Sequence, residues 1–133
     1  MIRDERGATV IEFGIVLPLL LMALFGLIEG ARLVWMDQAL DQAAYSTARC
    51  RTIATAACDS AAKQVAYAVQ RAKANGIKVD PANVVVDPAA TCNGAAGSLL
   101  VTLTVNFGSP VAKLLPLPTI VRGRSCLPAL PKV

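Results

Sequence analysis

The sequence predicts an α+β fold: a long N-terminal helix acting as membrane span and stalk, a second helix, and a small antiparallel sheet. Three observations carry this expectation. An uncharged apolar run fills residues 13–28, apolar residues at helical spacing follow it, and strict two-residue alternation appears near the C-terminus. A chain of 133 residues suits one small domain plus an anchor.

The first element covers residues 8–48. Residues 13–28 (FGIVLPLLLMALFGLI) carry no charge, and the flanks 8–11 and 31–35 extend the run with only Glu12, Glu29 and Arg32 interrupting it. A spanning helix needs about 20 mostly apolar residues. A cleaved secretory signal competes with this reading. The run is longer than the usual apolar core of a signal, however, and no A-x-A site follows it. Beyond it, Leu33, Met36, Leu40, Ala43 or Ala44, and Thr47 recur at helical spacing, with Asp37, Gln38, Asp41 and Gln42 on the other side. The span therefore continues into a water-exposed stalk, on the order of 60 Å long in all. Pro18 lies inside it and predicts a kink.

Residues 50–59 (CRTIATAACD) break the pattern. A second helix begins near Asp59 or Ser60, both favourable N-caps. Its expected apolar stripe is Ala62, Val65, Ala66, Val69 and Ala72, and Asn75-Gly76 is a C-terminal stop. Residues 84–86 are a short β-branched strand. Residues 99–107 alternate Val101, Leu103, Val105 and Phe107 with Thr102, Thr104 and Asn106, the pattern of a half-buried strand. Residues 119–126 form a weaker third strand after the proline-rich stretch 110–118. Consecutive antiparallel strands with helices on one face complete the α+β reading.

Composition narrows the function. The chain is 55% hydrophobic and has no histidine. That removes histidine general bases, zinc ligands and axial haem ligands together, and with them the Ser-His-Asp and Cys-His arrangements. Thirteen Lys and Arg stand against nine Asp and Glu, a mild and scattered excess that does not point to nucleic acid. Ser60-Ala61-Ala62-Lys63 fits S-x-x-K, but Ser is a natural cap there and no companion motif follows. No cofactor, metal site or small-molecule substrate is expected. The cysteines Cys50, Cys58, Cys92 and Cys126 all follow the apolar run, which suits an oxidising compartment and up to two disulfides. Three pairings are open. Cys50–Cys58 across the break between helices and Cys92–Cys126 across strand ends are favoured over free buried thiols.

Glu12 is the sharpest single feature. A carboxylate inside a membrane segment costs about 2.5–3.5 kcal/mol on insertion scales and is functional by default; the alternative is an interfacial Glu at the membrane edge. A cationic partner would arise if the chain were cut after Gly7, because the new α-amino group of Ala8 would lie at a similar depth. In a packed array, Glu12 of one subunit could then neutralise the amine of the next. Glu29 and Arg32 are three apart and share a helix face. Residues 26–30 form a GxxxG motif from Gly26 and Gly30, with Ala23 on nearly the same side, which allows close helix approach.

The segment 7–13 (GATVIEF) resembles a prepilin cleavage motif, with Gly before the cut, Glu at the fifth mature position and an aromatic after it. The short charged leader resembles the Flp class of type IV pilins, though Asp4 and Glu5 make it less basic. Residues 6–49 are similar to the TadE-like family of the tight-adherence (Tad) pilus system, through Gly7, Glu12, Phe13, Pro18, Phe25, Gly26, Glu29 and Arg32. The resemblance implies a leader at 1–7, a transmembrane helix at 8–34 and an extracytoplasmic head at 35–133. It implies processing at Gly7 and Ala8. It also implies pilin register or helix packing through Glu12, Phe13, Pro18, Gly26, Glu29, Gly30 and Arg32. The function implied is that of a minor pseudopilin, not an enzyme, held in the bacterial inner membrane. Its partners would be TadF-like and Flp-like pilins, a prepilin peptidase and the pilus assembly platform, in pili for adhesion and biofilm formation. The alternative is an unprocessed, membrane-anchored adhesin or binding domain.

Overall fold

The computed structural model describes residues 5–128 and has the expected α+β architecture. Helix α1 runs over Glu5–Thr52, 48 residues and about 70 Å at 1.5 Å per residue. The helix continues unbroken through Pro18, so that residue removes one donor without ending it. The helix also runs past residue 48, where the sequence placed its end. Thr47 and Thr52 hydroxyls donate back to the Ala43 and Ala48 carbonyls at 2.8 Å, so these polar side chains are satisfied locally. Arg49 and Arg51 sit in the last turn, where cations favour the helix dipole.

The two halves of α1 have different surroundings. Every described side chain over residues 9–25 is exposed. From Glu29 onward one stripe turns inward: Glu29, Leu33, Met36, Leu40, Ala43, Ala44, Thr47 and Ala48. These spacings of three and four are those of one helix face.

A short turn over Ala56–Cys58 leads to helix α2, Ala61–Ala74, and the Cys50–Cys58 disulfide closes the corner. Ser60 caps α2 by accepting from the Lys63 amide. The Lys63 ammonium, 2.9 Å from Asp59, holds that exposed carboxyl below the usual carboxylate range. The helix stops at Asn75 and Gly76, where Gly76 adopts φ 76° and the amides of Gly76 and Ile77 return to Lys73 and Ala72. The buried face differs from the expected one. Gln64, Ala68 and Ala72 are buried, with Val65 and Val69 beside them, whereas Ala62 and Ala66 are exposed. The reason is polar: the Gln64 amide donates to the buried Cys58 carbonyl at 2.9 Å and turns the helix toward the disulfide corner.

Three strands form an antiparallel meander in the order β1-β2-β3: Val84–Cys92, Ala95–Asn106 and Ile120–Pro128. The first hairpin extends well beyond the β-branched triplet at 84–86. Its turn is Asn93-Gly94, both at positive φ (50° and 84°), the geometry of a type I′ turn. Pairing in β1 is irregular between Asp87 and Ala90, where Pro88 has no donor to offer. Phe107 lies just beyond β2, and its amide donates to Thr119 to close the base of the β2–β3 connection.

The inner face of the sheet carries Leu99, Val101, Leu103 and Val105, paired with Leu127, Ser125, Gly123 and Val121. Helix α1 lies across β2 and β3, while α2 packs against α1 and β1. The approach of α1 to β3 is closest at Leu40 and Gly123. A Cβ built on Gly123 would overlap the Leu40 backbone. One residue away, the Asp41 carboxylate accepts from the Arg124 amide at 2.7 Å, which occupies a donor on the sheet's edge strand. The Cys92–Cys126 disulfide joins the outer strands and brackets a sequence separation of 34. Both pairings are those favoured from the sequence, and all four cysteines are bonded.

Gly123→Ala is expected to destabilise the full chain by about 3 kcal/mol, since the obstacle is helix backbone and cannot swing away. Gly108→Ala, where a Cβ meets nothing within 4 Å, is expected to stay within about 0.5 kcal/mol. Denaturant unfolding in detergent, followed by circular dichroism, measures both. Equal stability of the two variants would contradict the packing described. Peptide mapping without reductant is expected to recover Cys50 joined to Cys58 and Cys92 joined to Cys126.

Candidate functional site

Two features stand out: the bare apolar half of α1, and a polar latch where that half meets the head. Residues 1–4 of the expected leader lie outside the described residues. Gly7 and Ala8 lie in the first turns of α1, which begins at Glu5. Glu12 is one helical turn beyond Ala8 and is exposed, and Phe13 beside it is 64% exposed. Pro18 lies farther along the same exposed stretch. The helix is long and apolar enough to cross a membrane. Apolar side chains that cover a helix all round lack the one-sided stripe of a surface helix on a soluble core.

The latch forms where the apolar run ends. Glu29 is 6% exposed. Its Oε1 lies 3.5 Å from Arg32 Nη1, while its Oε2 has no hydrogen-bond partner. Arg32 reaches the other way as well. Its Nη2 donates to the carbonyl of Gly108, and its guanidinium stands 4.9 Å from the centroid of the Phe107 ring. One side chain therefore joins a buried helix carboxylate, a loop carbonyl and an aromatic face. Arg suits this role because its planar fork can donate in two directions while stacking.

Glu29 and Arg32 are thus brought together with each other and with the β2–β3 connection. Gly26 lies one turn before Glu29 on the same face. A Cβ there would sit 3.8 Å from Leu115 Cδ1, also in that connection. At Gly30 nothing lies within 4 Å of such a Cβ. The two glycines of the GxxxG motif therefore differ: the chain's own head abuts Gly26, and Gly30 remains open. Sequence reasoning missed Phe107 and Gly108, and it missed that Glu29 belongs to the buried stripe. The signal for Glu29 was its place four residues before Leu33. Phe107 carried none, because an aromatic at the end of an alternating run looks like its last inward member.

A broad groove of about 570 Å³ lies between α1 and α2, lined by Tyr45, Arg49, Ile53, Tyr67 and Arg71 among others. Arg71 donates to the Tyr67 hydroxyl at 2.9 and 2.6 Å and stacks on its ring. The lining holds no Asp, Glu or nucleophile–base pair. Among the described residues, no group of three or more His, Cys, Asp or Glu could hold a metal ion.

Residues 7–49 match the family model described as TadE-like protein. The match covers α1 from the bare half through the latch and includes Gly7, Ala8, Glu12, Phe13, Pro18, Gly26, Glu29, Gly30 and Arg32. No curated protein and no solved structure matches the chain.

Arg32→Ala is expected to cost about 2 kcal/mol, from a charge-assisted hydrogen bond and a cation–π contact in a half-exposed setting. Glu29→Gln in the Arg32→Ala background should recover part of that loss, because it removes a buried carboxylate left without its cation. A double-mutant cycle by denaturant unfolding measures the coupling. Simple additivity would show that the two residues do not act together.

Proposed function

We propose, from the match of residues 7–49 to the TadE-like family model, that this chain is a minor pseudopilin, a membrane-anchored subunit that assists assembly of Tad pili. The family match supports association with the Tad pilus. The finer reading rests on one observation. Residues 9–25 are exposed on all sides and apolar apart from Thr9 and Glu12, on a helix that continues into a folded head.

That arrangement suits a helix that moves between two apolar surroundings. In the bilayer, lipid covers residues 9–28. In an assembled array, neighbouring helices replace lipid with little change in apolar burial, so polar and steric detail decides the register. Glu12 supplies the polar detail. Cleavage between Gly7 and Ala8 by a prepilin peptidase frees an α-amino group one helical turn away. That amine of one subunit and Glu12 of the next neutralise each other, which fixes the axial offset between subunits. Phe13 and Pro18 shape the adjoining surface, and the open Gly30 admits close approach. The head then lies outside the cytoplasm, consistent with its two disulfides. In this role the subunit works by packing and takes no substrate or cofactor.

Two outcomes test the reading. Mass spectrometry of the protein from cells that make the peptidase should find a mature N-terminus at Ala8, and an intact Met1 would remove the processing step. Glu12→Ala should leave membrane insertion unchanged while co-purification with Flp-like and TadF-like pilins falls about tenfold, the scale of one charge-pair contact. Unchanged co-purification would remove Glu12 from the register.

A further inference from the structure

The β2–β3 connection is long, proline-rich and placed at an unusual height. It runs over residues 107–119 (FGSPVAKLLPLPT) and contains no Asp or Glu. Leu115 reaches Gly26, inside the uncharged run 13–28. Gly26 lies three residues before Glu29, about 4.5 Å along the helix axis toward the bare half. A head that sat wholly in water above the span would have no side chain at that level.

The exposed side chains of the connection fit a lipid boundary. Leu114 is 75% exposed, the highest value among the exposed large hydrophobic residues described. Lys113, next to it, is exposed and has a long apolar stem. The backbone suits the same setting. The amides of Ala112, Leu114, Leu115 and Leu117 donate to carbonyls within the connection, and that of Val111 donates to the Ser109 hydroxyl. Pro110, Pro116 and Pro118 have no amide to satisfy. Amides already bonded within the loop lower the cost of its approach to hydrocarbon, where an unpaired donor costs several kcal/mol.

We propose that the tip of this connection, around Leu114, inserts into the outer interface of the bilayer that α1 spans. Leu114 enters the acyl region and Lys113 remains among the phosphates of anionic phospholipid. The head thereby has a second membrane contact beside its helix. Through Leu115 at Gly26 and Arg32 at Gly108, that contact also fixes how the head is turned about α1. This rests on the reading of α1 as a membrane span, and the test separates the two.

The full chain is reconstituted in vesicles of phosphatidylcholine and phosphatidylglycerol. Their acyl chains are brominated either near the headgroup or near the methyl end. Three variants carry one tryptophan each in a Trp35→Phe background: Leu114→Trp, Leu20→Trp within the span, and Ile53→Trp at the far end of the stalk. Leu114 and Ile53 are exposed, so these exchanges leave the core untouched, and far-ultraviolet circular dichroism checks this. Fluorescence from Leu114→Trp is expected to fall by about half with the shallow bromines and much less with the deep ones, as for an aromatic at the interface. Leu20→Trp should be quenched by deep bromines, and Ile53→Trp by neither. Quenching of Leu20→Trp without quenching of Leu114→Trp would overturn the proposal and leave the span standing. That outcome would place the loop in water or against another protein. Absence of quenching in both would overturn the span itself.

Discussion

A helix can lie on a sheet at ordinary distance with side chains between them, or it can come closer at a point where one side gives up its side chain. In this protein the second arrangement governs the head. Gly123, on the inner face of β3, leaves a space into which the backbone of α1 descends at Leu40. Leu40 is fully buried as a result, a contribution of about 1.5–3 kcal/mol. Asp41 follows immediately and takes the Arg124 amide, so the same turn of helix supplies an apolar contact and an edge-strand hydrogen bond. With α1 fixed to β3, the rest of the inward stripe has its register set along the axis: Leu33 and Met36 on one side, Ala43, Ala44 and Thr47 on the other. The alanines keep α1 slim where α2 must also pack.

The opposite half of α1 has no such constraint. The chain therefore divides at Glu29 by surroundings rather than by secondary structure, since one helix crosses the division without interruption. Glu29 and Arg32 sit at that division for a physical reason. Farther toward the N-terminus, an ion pair would lie among exposed apolar side chains with nothing to accept its remaining hydrogen bonds. Farther toward the C-terminus, it would occupy the alanine-rich seam where α1 needs small residues. At the division, Arg32 can reach the loop carbonyl of Gly108 and the face of Phe107 while keeping part of its surface open.

Much of this was legible in the sequence, and the parts that were not have particular causes. The apolar run, the 3–4 spacing from Leu33, the Ser60 cap and the Asn75-Gly76 stop all report local physics, so each emerged in place. The alternation over residues 99–107 marked β2 for the same reason. Asn93-Gly94 carried a strong hairpin signal, and reading it would have extended β1 to Cys92 and begun β2 at Ala95. The buried face of α2 was harder. Ala62 and Ala66 look as apolar as Ala68, and the choice between them is made by Gln64, whose partner is a carbonyl in a disulfide turn. No periodicity encodes that. Gly123 was silent too, because its meaning lies in Leu40, far away along the chain.

The site shows the same split. Glu12 was conspicuous because a lone carboxylate in an apolar run of spanning length would be costly inside a bilayer. Arg32 was conspicuous only as the neighbour of Glu29, and its larger role depends on a loop more than seventy residues away. That loop links the two halves of the molecule. It starts at Phe107, just beyond β2, and returns through Thr119 to β3. In between, it lies along the helix at the level where apolar exposure begins. The head is thus held to α1 at two heights, by Gly123 at Leu40 and by Arg32 and Leu115 near Gly108 and Gly26. Two contacts at different heights resist bending as well as sliding. In the role proposed for this chain, a bare helix packed among others under an aligned head would call on both.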